Sequence, residues 1–115
     1  MTLLEKQVTF ALKVSSLISQ AFDMGYEVTL GEAVRPLEVA EDYAGKGIGI
    51  KKSLHCIRLA IDLNLFKDGK YLDKTEDHKP LGEWWEKQSG IDFKCCWGGR
   101  FNDGNHYSIE LAGVK

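Results

Sequence analysis

The chain has 115 residues, 43% hydrophobic and 28% charged, with a formal net charge of −2 at pH 7. Those values suit one globular domain with one core, leave no room for a second, and exclude a disordered chain. A slightly acidic chain without a basic stripe is a poor nucleic-acid binder, and no run approaches the roughly 18 apolar residues of a membrane span.

Glu5, Lys6, Gln7 and Lys13 interrupt the first residues, and no apolar stretch with a small-residue cleavage site follows. Synthesis in the cytoplasm without a secretory signal is the expectation. Residues 3–24 carry two adjacent apolar rows: Leu4, Val8, Ala11, Ile18 and Phe22, and Phe10, Val14, Leu17, Ala21 and Met24. Spacings of 3, 4 and 7 put both on one face of a long core-covering helix, which Gly25 ends. Residues 26–30 alternate as a short strand. Pro36 suits a first helical position, with Leu37, Val39, Ala40 and Tyr43 following as a short helix. Gly45, Gly47 and Gly49 precede no GK[ST] and fit no dinucleotide fingerprint, so they read as a flexible connection.

Residues 57–66 are the best strand, with Ile57, Leu59, Ile61, Leu63 and Leu65 on one face and Arg58, Ala60, Asp62 and Asn64 on the other. Asp68-Gly69 then predicts a hairpin turn, and Tyr71 and Leu72 begin the returning strand. Residues 80–88 read as a helix that turns Leu81, Trp84 and Trp85 inward, and residues 106–111 alternate as a last strand. Glu110 shares a face with His106 there and reads as a surface carboxylate. His78, amid Glu76, Asp77 and Lys79, reads as a solvated loop histidine, while Trp97 fits packing and substrate contact equally. Cys56, Cys95 and Cys96 are odd in number and form no CxxC pair, so they are expected to be reduced and structural. The fold class expected is α+β: a single domain, 1–115, with a small, mainly antiparallel sheet and flanking helices.

His55 and Asp62 flank the start of the central strand, and Asp103 and His106 lead into the last one. Seven residues separate His55 from Asp62, so an unbroken strand would point them to opposite faces; His55 must come from a bend if both hold one ion. Two imidazoles and a carboxylate leave the fourth position of zinc open to water, as in hydrolytic sites. A second carboxylate nearby, Asp103, could take a proton from that water. Spacing alone leaves open that both histidines are ordinary half-buried residues and that Asp103 caps a turn.

Longer words around these residues narrow the choice. Residues 53–62, Ser-Leu-His-Cys-Ile-Arg-Leu-Ala-Ile-Asp, resemble the SxHxxGxAxD motif of the D-alanyl-D-alanine carboxypeptidase and L-alanyl-D-glutamate peptidase family. Residues 97–101 with 103–106 are similar to its second motif, which has an acidic residue three before the last metal histidine. Residues 63–72 look like the branch carried by bacteriophages and prophages, and residues 32–36 are similar to an upstream arginine-containing segment. The resemblance runs from about residue 26 to 111. It implies a Hedgehog-like α+β fold, Zn²⁺ held by His55, Asp62 and His106, Asp103 as general base, and Arg35 and Ser53 as substrate-binding residues. Arg58 stands where the motif has glycine, and on the ligand-bearing face it could narrow the cleft or bind a carboxylate.

The function implied is hydrolysis of peptidoglycan stem peptides by a monomeric endolysin-type L-alanyl-D-glutamate endopeptidase, acting on the cell wall in the periplasm. A D-alanyl-D-alanine carboxypeptidase or dipeptidase is the alternative activity, and a catalytically silent zinc-binding domain the alternative without one.

Overall fold

The computed structural model describes residues 1–36 and 53–115. The short helix expected after Pro36 and the glycine-rich connection at 45–50 lie outside the described residues. Helix α1 (Leu3–Asp23) opens with a capping box: the Glu5 N–H donates to the Thr2 hydroxyl oxygen at 3.1 Å, and the Thr2 N–H donates to the Glu5 carboxylate at 2.8 Å. Strand β1 (Glu27–Leu30) follows. A 3₁₀ turn (Leu54–Ile57) leads into β2 (Ala60–Lys67), which is joined to β3 (Lys70–Tyr71) by Asp68 and Gly69 with φ of 52° and 76°. A second 3₁₀ turn (Thr75–His78), helix α2 (Lys79–Glu86), β4 (Cys95–Trp97), a third 3₁₀ turn (Gly98–Phe101) and β5 (His106–Ile109) complete the chain.

The pairings are antiparallel and the strand order is β1-β2-β5-β4, with β3 beside the end of β2. The architecture is therefore a small antiparallel sheet with two helices, an α+β fold. Period-2 alternation decides which side chains meet the helices. Ile61, Leu63 and Leu65 of β2, Tyr107 and Ile109 of β5 and Trp97 of β4 join Phe10, Leu17 and Ala21 of α1 and Leu81 and Trp85 of α2 in one core. Asp62 and His106 are left on the other face. Trp85 is the hub: its ring meets Phe10 and Tyr107 edge-on, with centroids 6.1 and 6.4 Å away. Its Nε1–H, 3.1 Å from both the Cys96 and Ser108 carbonyls, pairs a polar group that burial would otherwise strand.

Three expectations need correction, and one strand was not expected. The strand expected from Ile57 starts at Ala60, because Arg58 takes a left-handed φ of 59° and the Leu59 N–H turns back to the Leu54 carbonyl at 3.0 Å. Only one of the two apolar rows of α1 is buried; Leu4, Val8 and Phe22 of the other are exposed, since the row facing the sheet is Phe10, Leu17 and Ala21. Strand β4 carries no alternation signal, being three residues long and buried throughout. His78 is not solvated: it is only 3% exposed, with Nδ1 3.1 Å from the Tyr107 hydroxyl. Its charged neighbours suggested solvent, but the 3₁₀ turn points the ring itself inward.

Burial holds the His78 pKa below its ordinary value, so the folded chain keeps it neutral where the unfolded chain would protonate it. The unfolded state then binds more protons below about pH 6.5, and the contribution of His78 to stability is lost as pH falls. In urea denaturation of metal-free protein, the stability advantage of the native chain over His78→Gln should shrink between about pH 7.5 and pH 5. An advantage that stays constant over that range contradicts the assignment.

Candidate metal centre

Three local structures bring the site together. The β2–β5 register places Asp62 directly opposite His106, so the sheet itself sets that pair on one face. His55 comes from the 3₁₀ turn Leu54–Ile57, whose first N–H groups are capped by Ser53; the His55 N–H donates to Ser53 Oγ at 3.2 Å. The left-handed Arg58 then reverses the chain and resolves the parity problem, because the seven-residue step from His55 to Asp62 is not one strand. Residues 31–35 act as a strap. The Gly31 N–H donates to the Asp62 backbone oxygen and the Asp62 N–H to that of Glu32, both at 2.8 Å; the Arg35 N–H donates to the His55 carbonyl at 3.1 Å.

His55, Asp62 and His106 present ligand atoms that all lie within 4.8 Å of one another, and they form a buried group able to hold a metal ion. His55 Nε2 lies 3.3 Å from Asp62 Oδ1, and His106 Nδ1 lies 3.6 Å from the same oxygen. The far ring nitrogens face backbone acceptors: His55 Nδ1 is 3.2 Å from the Ala33 carbonyl, and His106 Nε2 is 3.0 Å from the backbone oxygen of Lys115. These backbone oxygens can only accept, so each imidazole carries its proton on that side and turns a lone pair toward Asp62. Asp62 Oδ1 is itself buried with no hydrogen-bond partner. Three electron-pair donors converge on one point, and leaving such a carboxylate oxygen unpaired costs several kcal/mol. A divalent cation answers that convergence, and the donor set of two nitrogens and one oxygen suits zinc.

The electrostatics of the metal-free protein agree. Burial works against charge on both residues, yet His55 is held above its ordinary pKa by Asp62, and the two imidazoles hold the Asp62 carboxyl down to about 2. The cysteines do not compete as ligands: all three are free, and burial pushes the Cys95 thiol up to about 12, far from thiolate.

A cleft of about 280 Å³ opens over these ligands, and Arg35, Ser53 and Asp103 line it as well. Asp103 Oδ2 is 4.0 Å from His106 Nδ1, and burial, the largest influence, raises its pKa above the ordinary carboxylate value. The Arg35 guanidinium is paired with Glu32, Nε donating to Oε1 at 2.6 Å. Ser53 is buried, and its hydroxyl oxygen serves the His55 turn. Arg58 does not narrow this cleft. It is exposed and lines a separate groove beside Phe10 and Ala11, because its left-handed backbone turns it away from the ligand face. Trp97 resolves to packing: it is 3% exposed, and its Nε1–H donates to the Gly104 carbonyl at 2.7 Å.

Sequence reasoning overlooked Phe101, which borders the cleft half-exposed and meets the His106 ring at 5.7 Å. It also missed the Ala33 carbonyl and the Lys115 backbone oxygen, which fix the imidazoles and carry no side-chain signal. Two glycines are required by close approach. A Cβ on Gly98 would strike the Asp103 carbonyl and lie 2.6 Å from His106 Cβ; one on Gly31 would lie 2.8 Å from the Asp62 backbone oxygen.

Purified protein should bind one equivalent of zinc by calorimetry and metal analysis, and Asp62→Ala or His106→Ala should abolish binding. Gly98→Ala, which displaces His106 without removing a ligand, should weaken binding by about 10- to 100-fold. Full zinc affinity in His106→Ala contradicts the ligand set. No family model matches this sequence and no curated protein matches it.

Proposed function

We propose that the chain is a zinc-dependent peptidase that hydrolyses peptidoglycan stem peptides, with the Hedgehog-like fold of the D-alanyl-D-alanine carboxypeptidase and L-alanyl-D-glutamate peptidase family. The observation that carries this reading is the partnerless Asp62 Oδ1 between two oriented imidazoles, in a cleft that a carboxylate and a guanidinium also line. The one departure from the family motif supports rather than weakens it. Arg58 occupies the glycine position with φ of 59°, a conformation open to glycine and costing other residues about 1–2 kcal/mol. Arginine there affects the turn, not the ligand set.

Zinc in such a site supplies a Lewis acid for the scissile carbonyl and lowers the pKa of its water toward about 7. The remaining chemistry belongs to the protein. Asp103, at the cleft wall and with a raised pKa, accepts the proton of the attacking water and returns it to the leaving amine. Arg35, steadied by Glu32, offers positive charge to the carbonyl oxygen as it becomes an oxyanion, an effect worth roughly 3–4 kcal/mol in comparable sites. Ala33 and Lys115 hold the imidazole tautomers fixed throughout. The favoured bond is the L-alanyl-D-glutamate linkage, cut by a monomer of the endolysin type at the cell wall.

Purified peptidoglycan incubated with zinc-loaded protein should release muropeptides whose masses identify that bond; loss of terminal D-alanine alone would instead identify the carboxypeptidase. Asp103→Asn should keep its zinc and lose about 10²–10⁴-fold in rate. Unchanged activity in that variant refutes the mechanism, and zinc binding without hydrolysis in the native chain identifies a silent metal domain.

A further inference from the structure

Asp103 stands half-exposed at the cleft wall, its Oδ2 4.0 Å from His106 Nδ1 and so beyond hydrogen-bond reach of that ring. The backbone that carries the carboxylate must set its direction. A residue's two soft dihedrals are fixed once the peptide planes on either side of it are fixed. The plane before Asp103 is held by its N–H, which donates to the Gly98 carbonyl at 2.8 Å. The plane after it is held from both sides. The Asp103 carbonyl accepts from the His106 N–H at 3.1 Å, and the Gly104 N–H donates to the Thr75 hydroxyl oxygen at 3.2 Å. The next plane is tied as well, since the Gly104 carbonyl accepts from Trp97 Nε1–H at 2.7 Å.

Gly98, His106 and Trp97 belong to the same stretch of chain as Asp103, whereas Thr75 reaches in from the second 3₁₀ turn, 29 residues from Gly104 in sequence. That turn is itself anchored to the core. The Tyr26 hydroxyl donates to the Asp77 carbonyl at 3.0 Å, and His78 Nδ1 lies 3.1 Å from the Tyr107 hydroxyl. Gly104 is buried, and it lets the two segments meet: a Cβ there would lie 2.6 Å from Thr75 Cα and 3.0 Å from the Thr75 backbone oxygen. Trp97 has no freedom to swing, because a Cβ on Gly82 or on Gly99 would strike its ring. Packing stops the loop from moving toward the turn, and the hydrogen bonds stop it from moving away.

We propose that Thr75 is a positioning residue for Asp103: its hydroxyl holds the Asp103–Gly104 peptide against the turn and so keeps the carboxylate aimed at the metal position. The role rests on the reading of Asp103 as general base. A base works only within hydrogen-bond reach of the proton it takes, and a displacement of about 1 Å costs roughly 10²-fold. Thr75 is not among the described residues that line the metal cleft, so it acts through Asp103 and not on the substrate.

The test is a set of variants in zinc-loaded protein acting on soluble muropeptides. Thr75→Val keeps the shape and removes the acceptor; kcat should fall about 10- to 100-fold, with KM and zinc affinity unchanged. Thr75→Ser, which keeps the hydroxyl, should recover most of that loss. In an Asp103→Asn background the same Thr75→Val change should cost less than about twofold, because its effect passes through the missing carboxylate. A readout without turnover accompanies these. The Gly104 amide should exchange its hydrogen about tenfold faster in Thr75→Val, while the Leu63 amide, which donates to the Asn105 carbonyl at 2.9 Å, should not change. Full kcat in Thr75→Val, an equal loss in the Asp103→Asn background, or unaltered Gly104 exchange overturns the assignment. A native chain that cleaves nothing defeats the peptidase reading instead, and Gly104 exchange then still decides whether Thr75 holds the Asp103 loop.

Discussion

The pairing of β2 with β5 is the constraint on which the rest of the site depends. Its register sets Asp62 against His106 and, on the opposite face, Ile61 against Tyr107, so the same ladder orders both the candidate metal ligands and the core. A slip of one residue would exchange those faces, burying a carboxylate against Trp85 and exposing the core. Register is therefore held by the hydrophobic core, and the ligand geometry inherits its rigidity. The strap at residues 31–35 fixes the other dimension, bonding to the Asp62 backbone from β1's end and to His55 through both the Ala33 carbonyl and the Arg35 N–H.

Much of the fold was legible because its signals were long. Twenty-one residues at helical period gave α1, and strict alternation from Leu59 to Leu65 gave the body of β2. The short pieces were not legible. Three buried residues in β4 offer too few positions for a period to show, and the charged letters around His78 describe their own side chains rather than the direction of its ring. The second apolar row of α1 misled because composition records apolar surface without recording which part the sheet is wide enough to cover.

The convergence of His55, Asp62 and His106 was legible for a different reason. Their separation in sequence demanded a bend before the central strand, and the 3₁₀ turn with left-handed Arg58 supplies it. What sequence could not carry is the orientation of the rings, which two backbone oxygens fix, and the place of Phe101 at the cleft, which comes only from where its turn sets it. Among the described residues no helix is long and apolar enough to cross a membrane.

The central claim is that two imidazole nitrogens and one carboxylate oxygen share an ion. X-ray absorption spectroscopy of the zinc-loaded protein tests it most directly. The account predicts a first shell of only nitrogen and oxygen scatterers at about 2.0–2.2 Å, with the outer-shell pattern of two imidazoles. A sulfur shell near about 2.3 Å, or the signature of fewer than two imidazoles, would contradict it.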